Sequence, residues 1–131
     1  MRVWHVIPVV ALTLSGGLSA CAETGTEIRE PVYRGADPVG LGDDLYGFLV
    51  TMENAADEAE VEDYVTCVVA GYAVEKEYGF ARKVRVYVNE EGGVWSADAV
   101  YSITPTLPRG AKTIDAGVTA TDCAARGIPT V

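Results

Sequence analysis

The stretch Tyr46–Gly79, YGFLVTMENAADEAEVEDYVTCVVAGYAVEKEYG, decides the fold. Its first part alternates. Tyr46, Phe48, Val50 and Met52 fall on one face of an extended chain, and Gly47, Leu49, Thr51 and Glu53 on the other, which predicts a strand with one buried face. Asn54-Ala55-Ala56 ends it. Asp57 and Glu60 then stand three apart ahead of an apolar run, a capping box with Asp in place of Ser or Thr. Six acids lie between Glu53 and Asp63, where their charge meets the positive end of a helix macrodipole. The D-x-D-x-D-G pattern of a calcium loop is absent. The spacing predicts a helix from Asp57 to Tyr78, with Gly79 at the C′ position. Val61, Tyr64, Val65, Val68 and Tyr72 form one apolar stripe, and Cys67, Gly71, Val74 and Tyr78 a second. Strict alternation fails through residues 65–74, which argues against a strand there. One stripe can pack on a sheet; the other needs separate cover.

Beyond this stretch, Val84, Val86 and Val88 alternate with Lys83, Arg85 and Tyr87, a second strand. Asn89–Gly93 has the composition of a hairpin loop, and Trp95, Ala97, Ala99, Tyr101 and Ile103 mark the return strand. Residues 104–110 break it. Thr119-x-x-Asp122 is expected to cap a short helix through Arg126, stopped by Gly127 and Pro129. Residues 22–40 show no period and read as a tether, whose end can instead lie along the domain as an edge strand. The order strand, helix, strand, strand, short helix implies an α+β fold: a small mixed sheet of three to four strands, with one long helix across a face, over residues 41–131. The strand–helix–strand crossover is expected to join parallel strands, and the hairpin to add an antiparallel one.

The N-terminus carries an address. Arg2 precedes a twelve-residue apolar run, Val3–Leu14, too short to span a hydrocarbon core, which needs about 20 residues. Small residues follow, then Leu18-Ser19-Ala20-Cys21. These four residues resemble the lipobox of bacterial lipoproteins. The resemblance implies a signal peptide over residues 1–20, recognised by its peptidase through Leu18, Ser19 and Ala20. It also implies a lipidated Cys21 carrying a diacylglycerol thioether and an N-acyl chain, a lipidated tether over 21–40, and a place in the cell envelope. Two or three acyl chains anchor durably where one is marginal. Ala22 rather than Asp after the cysteine implies, in a Gram-negative cell, the periplasmic leaflet of the outer membrane. The lipobox, the strand, the helix with V-E-D-Y-V-x-C and the Gly79-Phe80 pair together resemble small uncharacterised lipoproteins of proteobacteria over about residues 41–104, a class with no activity attached.

Processing after Ala20 leaves 9 Lys and Arg against 19 Asp and Glu, a formal balance of −10. Such a surface repels phosphate backbones and anionic lipid, so nucleic acid is set aside as a partner. Of the three cysteines, Cys21 is spoken for by the lipid, and Cys67 and Cys123 remain as an even pair in an oxidising compartment; a disulfide is expected. Neither lies in a C-x-x-C motif, which speaks against redox catalysis. The bond would bring the C-terminal segment onto the second helix stripe, where Gly71 permits close backbone approach.

His5 is the only histidine, and signal cleavage removes it. The mature chain therefore holds no Ser–His or Cys–His pair and no imidazole zinc ligand; no metal site, no cofactor beyond the lipid and no enzyme activity are expected. The carboxylate neighbours Asp43/Asp44 and Glu90/Glu91 read as solvated charges. Two surface features remain. Arg82, Lys83 and Arg85 are a basic cluster in an acidic chain, and Lys83, Arg85 and Tyr87 are expected to share the outer face of one strand as a candidate docking face. The aromatic set Tyr46, Phe48, Tyr64, Tyr72, Trp95 and Tyr101 is expected mostly in the core, with one or two lining a groove. The function these readings favour is a lipid-anchored, non-catalytic interaction or structural module binding an envelope protein or the wall. The alternative is a binder of a small or lipidic ligand in space between helix and sheet.

Overall fold

The structure is a computed structural model that describes residues 29–110 and 112–130. The signal segment, the lipobox and residues 22–28 lie outside the described residues. The elements run β1 (Val32–Gly42), β2 (Leu45–Glu53), α1 (Glu58–Glu75), β3 (Phe80–Glu91), β4 (Val94–Thr104), β5 (Thr113–Asp115) and α2 (Ala116–Ala125). The fold is α+β, with a five-stranded sheet in the order β1-β2-β4-β3-β5.

The sheet is antiparallel throughout, not mixed, and larger than the three or four strands expected. The expected parallel contact of β2 with β3 does not form because β4 lies between them, pairing with β2 over Val94–Ser102 and with β3 over Val94–Thr104. β4 is the strand best suited to the centre. Ala97, Ala99, Tyr101 and Ile103 are all buried. The two alanines keep the middle of the sheet low, so that α1 can lie close across it. β1 supplies one edge. Residues 32–40 form that edge strand, the alternative to a tether that the sequence offers for this segment, so the sheet takes in residues before Leu41. Pro38 and the irregularities at Arg34 and Leu41 suit an edge, where a missing N–H is tolerated. β5 extends the other edge by three residues against Phe80–Arg82.

Both hairpins turn on two residues. Gly92 and Gly93, at φ of 58° and 83°, provide the left-handed backbone of a type I′ turn, so Asn89–Glu91 belong to the strand and not to a loop. Asp43-Asp44 closes β1 onto β2 with both carboxylates exposed.

The start of α1 is built as the capping box requires. The Asp57 carboxylate accepts from the Glu60 N–H at 2.9 Å, and the Glu60 carboxylate accepts from the Ala56 N–H at 2.5 Å. Arg29 adds a charge-assisted bond to Glu60 at 2.5 Å. Partial burial works against the Glu60 charge, but Arg29 and the Ala56 amide together hold its carboxyl below the ordinary value of 4.5. The helix stops earlier than Tyr78. Glu77, not Gly79, takes the left-handed position at φ 62°, and the Tyr78 N–H donates to the Ala73 carbonyl at 2.8 Å in a Schellman closure. Gly79 instead lies at a close approach to the Pro105 carbonyl.

α1 is covered on two sides. Val61, Tyr64, Val65 and Val68 are buried with the apolar face of β2 and β4 in one cluster. On its other side Cys67 bonds to Cys123 of α2, with the two Cα atoms 5.8 Å apart. Val74, assigned to the second stripe, is 46% exposed; Val69, Ala70 and Ala73 are buried instead. Gly71 is the contact point with the C-terminal segment: a Cβ there would overlap the Thr130 side chain. α2 begins four residues before the expected start, with Asp115 as the cap accepting from the Val118 N–H at 3.0 Å; it ends at Ala125, one residue short of the expected Arg126, and Gly127 takes the left-handed position beyond it at φ 70°. Tyr64 also fastens β1. Its hydroxyl accepts the Gly35 N–H at 3.0 Å, beside the irregularity that interrupts the β1–β2 ladder.

Two outcomes test this packing. Gly71→Ala gains about 1 kcal/mol of helix propensity, so a melting temperature that nevertheless falls reports the clash with Thr130; in a Thr130→Gly background the same change should raise it. An equal effect in both backgrounds would contradict the contact. Glu60→Gln should lose about 1 kcal/mol at neutral pH, the size of a helix cap. Because the folded pKa of Glu60 is lowered, its contribution is full above pH 4.5 and fades as pH falls through the lower folded value. The variant's stability should therefore converge on the native chain's in acid; a constant offset across the range would contradict the capping role.

Candidate docking surface

α1 covers one face of the sheet and leaves the other open. On the open face lie Leu45, Leu49, Val94 and Tyr87, together with Val39 and Leu41 from β1, each between 37% and 65% exposed. Large apolar side chains gathered on one exposed face mark an interaction surface more often than scattered ones do. Gly47 shapes the middle of this face. Lacking a side chain, it lets Leu41 fold across it within van der Waals contact, beside Val100, its cross-strand partner and itself buried. Val39, Leu41 and Leu49, with Asp37, Arg85 and Asp98 at the polar end, line a groove of about 290 Å³. Between helix and sheet, where the alternative reading places a ligand, lies the buried core cluster.

The candidate docking residues are divided between the two faces. The ladder between β3 and β4 shifts between Lys83 and Arg85, so Val84 is an extra residue in the strand. Before the shift, Lys83 pairs with buried Tyr101 and points to the helix side, where its ammonium meets Glu62 at 2.6 Å. That hydrogen bond to Glu62 raises the Lys83 pKa above its ordinary value. The neighbouring Tyr101 phenol is raised by burial. After the shift, Arg85 and Tyr87 emerge on the open face. The Arg85 guanidinium lies over the Tyr87 ring at 5.3 Å and reaches Asp98 at 3.7 Å. The expectation that Lys83, Arg85 and Tyr87 share one face is therefore corrected: Arg85 and Tyr87 do, and Lys83 is a strut between sheet and helix. The alternation K-V-R-V-Y-V is unbroken in the sequence and gives no sign of the bulge.

The aromatic set behaves as expected in part. Phe48, Tyr64 and Tyr101 are buried, and Tyr46, Tyr72 and Trp95 are half-buried against the same core. Tyr72 packs against Tyr46 and Phe48 at 5.5 and 5.4 Å between ring centres. Of the set, Phe48 borders the groove, and the three half-buried rings do not. Among the described residues no three His, Cys, Asp or Glu side chains gather as a metal site, and no helix is long and apolar enough to cross a membrane.

The family profile of the YNQ4 C-terminal domain matches residues 33–127, from the second residue of β1 to the glycine that closes α2. The chain belongs to this family. The YNQ4 C-terminal domain thus coincides with the sheet, α1 and the disulfide-bonded α2. The chain is also similar to a protein of Paracoccus denitrificans described as an uncharacterized 26.9 kDa protein in the nqo8 5' region, 26% identical over 87 residues. That match covers 66% of this chain and 34% of the relative, so the chain spans about a third of the relative's length. No solved structure matches the chain.

The open face is expected to tolerate charge. Leu49→Lys should change stability by no more than about 0.5 kcal/mol in a denaturant titration, whereas Val50→Lys, its buried neighbour on the same strand, should abolish folding. A Leu49→Lys loss of several kcal/mol would mean that another part of the chain covers this face.

Proposed function

We propose that the chain is a lipid-anchored envelope protein whose folded domain is a non-catalytic interaction module, presenting the open sheet face to a protein or cell-wall partner. The observation that carries the anchor is the succession of Arg2, the apolar run Val3–Leu14 and Leu18-Ser19-Ala20-Cys21. The buried Cys67–Cys123 bond suits an oxidising compartment. The exposed apolar residues around the groove support the interaction role. With Cys21 as the first mature residue, ten residues separate the lipid from the start of β1 at Val32. Fully extended they reach about 35 Å. The tether is shorter than residues 21–40, and the domain stays close to the membrane, with its anchor end at the Arg29–Glu60 contact. In a Gram-negative cell, Ala22 favours the outer membrane. The groove favours a second reading, a binder of a small apolar or lipidic ligand, though at about 290 Å³ it is at the low end for such sites.

The test is the intact mass of the protein from the membrane fraction, with Cys21→Ser as its partner. The reading expects a chain beginning at residue 21, carrying acyl mass and lacking two hydrogens relative to the dithiol. Cys21→Ser should leave the membrane fraction without added lipid mass. An unprocessed chain, or a native protein without acyl mass, would overturn the anchor.

A further inference from the structure

We propose that two copies of this chain pair through the outer edge of β3, joining their sheets into one continuous antiparallel sheet. β5 pairs only with Phe80–Arg82, and the last backbone contact on that side is the Lys83 N–H to the Lys112 carbonyl at 3.3 Å. From Val84 to Glu91 the strand is bonded to β4 on one side, and among the described residues no strand pairs with the other. Such an edge is a template for another strand unless the sequence blunts it. The opposite edge, β1, is blunted by Pro38 and two irregularities. The β3 edge has one bulge, at Val84 where the free stretch begins; beyond it there is no proline and no irregularity, and Val86, Tyr87 and Val88 follow in succession, with Tyr87 65% exposed. One edge is guarded, and the other is built of residues that favour pairing.

The charge order along the strand selects a second copy as the occupant. The free edge is basic at its start, at Arg85, and acidic at its end, at Glu90 and Glu91. A two-fold axis reverses the partner strand, so each basic end meets an acidic one. Lys83 is already taken up by Lys112, so the axis falls at Val88, the middle of residues 85–91; Arg85 then lies directly opposite the other copy's Glu91 on the open side, and the two Tyr87 rings lie diagonally across from each other. On the helix side the two Val88 side chains face each other, and Val86 of each copy lies diagonally across from Val88 of the other. Both valines are half-buried at the margin of the core, so pairing would continue that core from one copy into the next. The pairing leaves the groove near β1 uncovered, and it does not depend on the lipid anchor.

The experiment is oxidative cross-linking of the full chain carrying Val88→Cys. Opposed residues of antiparallel strands have Cα atoms about 4.5–5.5 Å apart, within the span of a disulfide. Val39→Cys, on the blunted edge and 56% exposed, is the control, and the unsubstituted chain sets the background from Cys21. The proposal expects a disulfide dimer from Val88→Cys alone. Glu91→Arg should weaken the association measured by sedimentation of the full chain roughly fivefold, through two symmetry-related cross-strand pairs, and adding Arg85→Glu should restore it. Equal cross-linking from both positions, a monomer at about 100 μM, or cross-links only to a different protein would each overturn it. Loss of acyl mass in the preceding test, with the dimer intact, would overturn the anchor alone.

Discussion

The two-sided burial of α1 is the constraint from which the other elements take their places. A helix that must hide Val61, Tyr64, Val65 and Val68 on one side and Cys67 and Ala70 on another needs two partners. The sheet supplies one, and the C-terminal segment supplies the other. The small residues sit where the approaches are closest: Ala97 and Ala99 under the helix, and Gly71 against Thr130. α2 has only Ala116 and Cys123 fully buried, too little apolar surface to hold it by itself. The disulfide compensates. By the chain-entropy relation, closing a loop of this length stabilises the fold by about 4 kcal/mol, a large share of the stability of a domain this size.

The same constraint leaves the far side of the sheet uncovered. Both helices lie on one face, so the alternation that buries Phe48, Val50 and Met52 exposes Leu45 and Leu49. The bulge at Val84 then decides which cations belong to which face. It assigns Lys83 to the helix, as a strut to Glu62, and it releases Arg85 and Tyr87 to the open side. A chain with a formal net charge of −9 thus presents an apolar groove with a close cation–aromatic pair beside it, and a strand edge whose charge reverses along its length.

What was legible in the sequence was local or a matter of parity. Asp57 and Glu60 announce the start of α1 because capping needs only residues three apart. Cys67 and Cys123 announce each other because two thiols remain once Cys21 is set aside. The alternation of Tyr46–Met52 and of Trp95–Ile103 reads correctly because one face of each strand is buried. β1 was hidden by Gly35, Pro38 and Gly40, which an edge strand accepts and which erase its period. β5 is too short to show one. The strand order was illegible because sequence neighbours β2 and β3 are each paired with β4, a long-range choice set by the alanines at its centre. The end of α1 was misplaced because Glu77 takes a conformation usually left to glycine. Thr119 and Asp115 both stand ahead of the α2 pattern, and the β5 pairing favours Asp115.

Amide hydrogen exchange on the full chain tests the two-sided burial most directly. The account predicts that the slowest amides are those of residues 65–73 in α1 and of β4, with α2 intermediate and β1 fastest among the elements. If β4 stays protected while residues 65–73 exchange as fast as α2, the helix is a surface element covered on one side only, and the account is contradicted.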